Sequence, residues 1–366
     1  MSCDFLSLAR PGVQKLSPYV PGKPIEELQR QYGVRDVIKL ASNENPLGPS
    51  KAALASVAKA SKEMTRYPDG NGYALKIALA DKLQLAPEQI TLGNGSNDVL
   101  ELLARAFAGK GDEVVFSEHA FAVYPLATKA IGATGVAVPA KDYGHDLDAM
   151  LAAINSRTKL VFIANPNNPT GTWVEPDEIL AFLDKVPEQV LVVLDEAYVE
   201  YLDQQNQTVD WLRDYHNLVI TRTFSKAYGL AGLRIGYALS HPEVADLLNR
   251  IRQPFNANSL AQAAAVAALG DETYLQQSRE LNQAGMKQLI AGFEQINLSF
   301  IPSKGNFIAV NVQSNAAEVY DDLLYEGVIV RPIAGYGLPQ HLRVSIGRAE
   351  ENQRFLDALS SVLGRS

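Results

Sequence analysis

Lys226 lies in the run Thr221-Arg222-Thr223-Phe224-Ser225-Lys226-Ala227-Tyr228-Gly229-Leu230-Ala231-Gly232-Leu233-Arg234, after an apolar segment and before a glycine-rich turn. A lysine amine withdrawn from water in such a place has a lowered pKa and can form imines with carbonyl compounds. A solvated surface lysine is the ordinary alternative. It does not explain why Ser225, Lys226 and Arg234 gather where a strand should end. Upstream, the apolar run 190–194 delivers Asp195 and Glu196, followed by Ala197-Tyr198, to another strand end. A carboxylate there is costly to bury without a cation beside it, and a protonated pyridine nitrogen is such a cation. An N-cap is the competing role, and either acid could be the functional one.

Two further segments are rich in turn residues. Asn165-Pro166-Asn167-Asn168-Pro169-Thr170-Gly171 follows the apolar run 160–164. It reads either as a rigid turn or as a ligand loop at a strand's C-terminal end, with the Asn168 amide facing a ligand oxygen. Gly93-Asn94-Gly95-Ser96-Asn97-Asp98 follows a short strand and opens a helix. Glycines let a backbone approach a ligand, and free N–H groups at a helix N-terminus bind phosphate. Asp98 stands where a dinucleotide fingerprint has its third glycine, so a plain cap by Ser96, Asn97 or Asp98 is the competing reading.

The elements that must position these residues follow from apolar runs and breakers. Strands are expected over 90–92, 113–116, 135–138, 159–164, 190–194, 218–221 and 235–239, and helices over 74–85, 96–107, 176–185 and 242–252. Continuous apolar strands alternating with helices predict an α/β fold whose mostly parallel sheet is covered on both faces. The pattern changes near Pro254. Helices over 259–269, 272–295, 316–325 and 350–362 mix with strands over 307–312, 328–330 and 342–346, as in a smaller α+β domain. Pro11, Pro18, Pro21, Pro24, Pro46 and Pro49 predict an extended N-terminal arm without long helices. The expected division is an arm over 1–45 joining the small domain, a large domain over 46–254 and a small domain over 255–366.

Composition narrows the function. The 366 residues suit two domains, since single cores seldom exceed roughly 250–300 residues. The net charge of −8, from 33 basic and 41 acidic residues, lacks the basic excess of a nucleic-acid binder. Cys3 is the one cysteine and the five histidines lack metal-ligand spacing, so no metal site is expected. The run Leu260 to Leu269 is too short to span a bilayer, and the N-terminus lacks a secretory pattern, so a cytoplasmic protein is expected.

Taken together, and in this order, the segments resemble the fold-type I aminotransferases that use pyridoxal 5'-phosphate (PLP), specifically the histidinol-phosphate aminotransferase family. The resemblance also includes Asn43-Glu44-Asn45-Pro46, Arg66-Tyr67-Pro68, Arg331 and Leu342-Arg343-Val344-Ser345-Ile346-Gly347, so it spans almost the whole chain. It implies a large domain with a mostly parallel, seven-stranded-type sheet between helices, plus a smaller α+β C-terminal domain. It implies that Lys226 is the Schiff-base lysine, that Asp195 pairs with the pyridinium nitrogen, and that Tyr198 and Asn168 bond the cofactor's phenolic oxygen. Gly95, Ser96, Asn97, Thr223, Ser225 and Arg234 would surround the cofactor phosphate, with Ser225 favoured over Thr223. Phe121 would stack on the ring, where many relatives carry a tyrosine.

The resemblance also implies a homodimer in which Tyr67 reaches the phosphate of the neighbouring subunit. Asn43, Arg331 and Arg343 would bind substrate, and Tyr19 would either contact the substrate phosphate or simply pack. The implied reaction moves an amino group between L-histidinol phosphate and 2-oxoglutarate, giving imidazole acetol phosphate and glutamate in histidine biosynthesis. The alternatives are an aromatic amino-acid aminotransferase and a PLP-dependent threonine-phosphate decarboxylase.

Overall fold

The computed structural model describes residues 3–18, 22–202 and 207–365. Its strands are β1 (Ile38–Lys39), β2 (Ile90–Gly93), β3 (Glu113–Ser117), β4 (Thr134–Val138), β5 (Thr158–Ala164), β6 (Leu191–Asp195), β7 (Leu218–Thr223) and β8 (Gly236–Leu239) in the first two-thirds of the chain. β9 (Phe300–Ile301), β10 (Phe307–Asn311), β11 (Val328–Ile329), β12 (Arg331–Ile333) and β13 (Leu338–Ser345) follow. Seven strands form one sheet in the order β2-β8-β7-β6-β5-β3-β4. Only β8 runs against its neighbours, pairing antiparallel with both β2 and β7.

The apolar runs are continuous because each strand is buried on both faces. Val161, Ile163, Val192, Leu194 and Ile220 join one core with Leu75 and Leu79 of helix Tyr73–Leu83 and Ile179 of helix Pro176–Leu183. Leu160, Phe162, Val193 and Val219 join the opposite core with Val99, Leu100 and Leu103 of helix Ser96–Phe107. Residues two apart share a face, so β6 sends 193 and 195 one way and 194 and 196 the other. Burying each such side chain is worth about 1.5–3 kcal/mol.

Beyond Pro254 the helices begin where the sequence supplies caps. Asn258, Asp271 and Asn315 accept from the backbone N–H groups of Ala261, Tyr274 and Ala317, opening helices Ser259–Leu269, Glu272–Gln295 and Ala316–Tyr325. A second sheet has the order β12-β13-β10-β9 and is antiparallel throughout. Its apolar residues Ile308, Val310, Leu342 and Val344 pack with Leu289, Phe293, Phe355 and Leu359 of the helices. β1 pairs in parallel with β11, and Ile38 and Leu40 belong to that same core.

Two local expectations are corrected. The N-terminal segment is not simply extended, because helix Ile25–Tyr32 forms between Pro24 and the left-handed Gly33 and buries Leu28. Helix Ser96–Phe107 is not capped by Ser96, Asn97 or Asp98. Its N-cap is Gly95, with φ 81° and no side-chain cap, while the Asp98 carboxylate accepts from the N–H of Asn94. Among the described residues, no helix is long and apolar enough to cross a membrane.

Candidate active site

The C-terminal ends of β5, β6 and β7 open into a cavity roofed by β12 and β13. Lys226, Asp195, Tyr198, Asn168, Phe121 and Asn43 line it, as do Ser96, Asn97, Thr223, Ser225, Arg234, Arg331 and Arg343. These residues are scattered over three hundred positions, and the strand ends bring them together.

Lys226 follows β7, and its Nζ donates 2.9 Å to the carbonyl of Ser42. Its Nζ lies 5.8 Å from the centre of the Tyr198 ring. Burial lowers its pKa to about 7, and the neighbouring Arg343 and Arg234 cations push the same way. The amine is therefore substantially neutral at ordinary pH, as a nucleophile or base requires.

Asp195 ends β6 and accepts 2.7 Å from the Tyr124 hydroxyl and 3.1 Å from the Thr221 hydroxyl. Burial raises its pKa to about 6, against the pull of these bonds. Glu196 points to the other face of the sheet, as the strand's alternation requires. There it binds Arg222 at 2.8 and 2.7 Å and accepts 2.6 Å from Thr208. Glu196 is thus neutralised away from the cavity, and Asp195 is the acid that lines it.

The other end of the cavity suits an anion. A Cβ on Gly95 would lie 2.3 Å from Arg234 Nη2, so the guanidinium rests on the bare glycine beside the start of helix Ser96–Phe107. A Cβ on Gly236 would lie 2.4 Å from the Ser96 nitrogen, which is why β8 can press against that helix end. Arg234 itself has φ 56° and donates 3.2 Å to the Ser225 hydroxyl. The Thr223 hydroxyl donates 3.0 Å to Ser225 Oγ and accepts from the Ser225 N–H at 3.1 Å. Thr223 is therefore occupied within the turn, and Ser225 keeps its own O–H for the cavity.

The remaining polar groups are held in pairs. Asn43, at φ 55°, accepts 3.1 Å from the Ser345 hydroxyl at its side-chain oxygen and donates 2.9 Å from its amide to the Tyr198 hydroxyl. Burial lifts the pKa of Tyr198 to about 12, although Arg343 and Asn43 oppose the rise. Asn165 closes the proline-rich turn through two bonds to Val174, so the rigid-turn reading is right for that residue. Asn168 differs. Its side-chain oxygen accepts 2.5 Å from Arg343, which leaves the amide hydrogens to face the cavity. Arg343 also donates 2.7 Å to the carbonyl of Ala41, and it stands directly opposite Arg331 across β12 and β13.

Tyr67 is not in the cavity. It is 83% exposed and stacks on the exposed Phe255 at 4.8 Å. Tyr19 lies outside the described residues. Contributors that were not anticipated include Tyr124, which bonds Asp195, and Ser42, Tyr336 and Gly22, which line the cavity. Tyr124 reads in sequence as a helix core residue, and the alternation along β6 is the one clue that its face carries Asp195.

Residues 35–359 match the family model for class I and II aminotransferases. A histidinol-phosphate aminotransferase of Pseudomonas fluorescens is 62% identical, with both chains covered completely. One from Pseudomonas aeruginosa is also 62% identical, over 98% of this chain and 99% of its own. The crystal structure of histidinol-phosphate aminotransferase from Sinorhizobium meliloti, in complex with pyridoxal-5'-phosphate, superposes with a TM-score of 0.89 at 32% identity, covering 97% of each chain. The chain belongs to the class I and II aminotransferases and, within them, to the histidinol-phosphate aminotransferase family.

Proposed function

We propose that the chain is a PLP-dependent histidinol-phosphate aminotransferase, moving the amino group between L-histidinol phosphate and 2-oxoglutarate in histidine biosynthesis. The observation that carries this reading is the convergence of Lys226, Asp195 and Arg234 with Arg331 and Arg343 in one cavity. The relatives' names point to the same reaction.

The residues fit the cofactor. The cavity joins a buried acid, a neutralised lysine and an arginine cradle against a side-chain-free Gly95. Bound pyridoxal phosphate supplies an aldehyde that takes up amines and a cationic ring that accepts electron density. Asp195 is the partner for the ring nitrogen, Lys226 Nζ the amine for the aldehyde, and Tyr198 with Asn168 the donors for the phenolic oxygen. Ser96, Asn97, Ser225 and Arg234 would hold the phosphate, and Phe121 would lie against the ring. The neutral Lys226 Nζ takes up the proton that leaves the donor's amine-bearing carbon, acting as a base and then as an acid. Arg331 and Arg343 present guanidinium forks, which match phosphate and carboxylate alike. One pair can therefore serve histidinol phosphate and then the oxo acid.

The same reading includes a homodimer in a cytoplasmic setting, with the arm over 1–45 associated with the small domain over 255–366 and the large domain over 46–254. The exposed Tyr67–Phe255 pair supports a partner surface there, since a solvent-exposed aromatic stack gains from being covered. A donor panel tests the reaction: histidinol phosphate, phenylalanine, tyrosine and threonine phosphate, each with and without 2-oxoglutarate. The highest kcat/KM is expected for histidinol phosphate, with strict dependence on the oxo acid. A higher value for either aromatic amino acid, or carbon dioxide release from threonine phosphate, would overturn it.

A further inference from the structure

His119 lies outside the cavity but touches three of the pieces that build it. Its Nδ1 is 2.6 Å from the carbonyl of Tyr336, and a carbonyl can only accept, so this nitrogen carries the proton. Its own carbonyl accepts 3.0 Å from the Asn167 amide, in the turn that presents Asn168. Two residues further on, Phe121 lines the cavity. The imidazole is buried.

Tyr336 ends the short turn Ala334–Tyr336, which connects β12 to β13. Those two strands carry Arg331 and Arg343 opposite one another. Gly337 follows with φ 80°, and a Cβ there would sit 3.4 Å from His119 Cε1, so the turn rests closely on the imidazole. On β13, His341 meets Tyr143 at 5.8 Å, and Tyr143 in turn stacks on His119 at 6.3 Å. The hairpin bearing both arginines is thus attached to the large sheet's loops through His119 at its tip.

We infer that His119 is a positioning residue for substrate specificity: its Nδ1–H bond to Tyr336 sets the height of the β12–β13 hairpin, and with it the reach of Arg331 and Arg343. It does not line the cavity in which cofactor and substrate would sit. Its removal therefore loosens anion binding while the Lys226 chemistry persists. The inference rests on the reading of these arginines as the substrate-anion clamp.

The test compares His119→Ala, His119→Asn and His119→Gln as holoenzymes, using the donor that the parent uses best, together with 2-oxoglutarate. An asparagine amide donates from the place of Nδ1, whereas a glutamine amide reaches beyond it. His119→Ala and His119→Gln should raise KM roughly three- to tenfold, the range for losing one hydrogen bond, with kcat within about twofold of the parent. His119→Asn should restore KM. Unchanged KM in His119→Ala, a fall in kcat alone that follows lost cofactor, or an asparagine variant as impaired as the alanine variant would each overturn the inference. A parent that ignores histidinol phosphate counts against the proposed reaction and leaves the His119 comparison intact.

Discussion

Tyr124 and Asp195 are joined by a 2.7 Å hydrogen bond, the tyrosine hydroxyl donating to Oδ2. The Tyr124 ring is itself fixed by parallel stacking on Phe162, with centroids 4.6 Å apart. The carboxylate at the end of β6 is therefore aimed by a rigid neighbour rather than by its own rotamer preference. A carboxylate held this way suits a task at a defined point, namely a cationic ring nitrogen.

Asp195→Asn should retain the cofactor yet lose roughly a hundred- to a thousandfold in kcat, the range for removing one electrostatic stabiliser. Tyr124→Phe keeps the charge and loses its aim, so a smaller loss of roughly tenfold is expected from one charge-assisted hydrogen bond. Glu196→Gln should instead lower Tm, because it weakens the buried pair with Arg222, and leave turnover per folded molecule near the parent's. An inactive Glu196→Gln beside an active Asp195→Asn would reverse the assignment of the two acids. Equilibrium cofactor titration with steady-state kinetics makes the comparison.

The Lys226 pKa of about 7 sets a pH dependence for the protein without cofactor. The amine is cationic below that value and neutral above it, and only the neutral form attacks an aldehyde. Cofactor capture should therefore speed up as pH rises through about 7 and then level off. In Arg343→Gln the midpoint should move upward, because one of the cations lowering it is gone. Stopped-flow absorbance, corrected with a small model amine, measures both. A midpoint near the ordinary lysine value of about 10.4 would contradict the burial argument.

Tyr67 should act across a subunit interface. Its side chain is 83% exposed and does not line its own chain's cavity. Mixing Tyr67→Phe subunits with Lys226→Ala subunits would leave one site of each mixed dimer free of both defects. Activity should reappear on mixing, provided Tyr67→Phe alone is strongly impaired. Verified subunit exchange without recovery would argue that Tyr67 serves its own chain.

Much of this was legible in the sequence because strands buried on both faces read as unbroken apolar runs. The expected strand over 159–164 is β5 with one residue more, and helices Ser259–Leu269 and Glu272–Gln295 have their expected bounds. Strand order was not legible. The antiparallel β8 pairs with β2, although well over a hundred residues separate them, and no local pattern encodes that pairing. The residues of the Gly95–Ser96 turn read as a phosphate site or as a cap, and the absence of a side-chain cap together with the packing of Arg234 against Gly95 favours the first. Tyr124, Tyr336 and His119 were not legible, since each acts through a partner distant in sequence. The residues alone left Asp195 and Glu196 unseparated and the resemblance chose Asp195; the packing at the end of β6 then gives the two acids different partners on opposite faces.

In the proposed reaction Lys226 Nζ performs the chemistry, and a single variant tests that role. Lys226→Ala should be purified, loaded with pyridoxal phosphate and assayed with histidinol phosphate and 2-oxoglutarate. The visible absorption of the lysine-bound cofactor should disappear and turnover should fall by roughly a thousandfold or more, as for the loss of a general acid–base group together with its covalent anchor. Turnover near the parent rate in that variant would rule out Lys226 as the reacting amine.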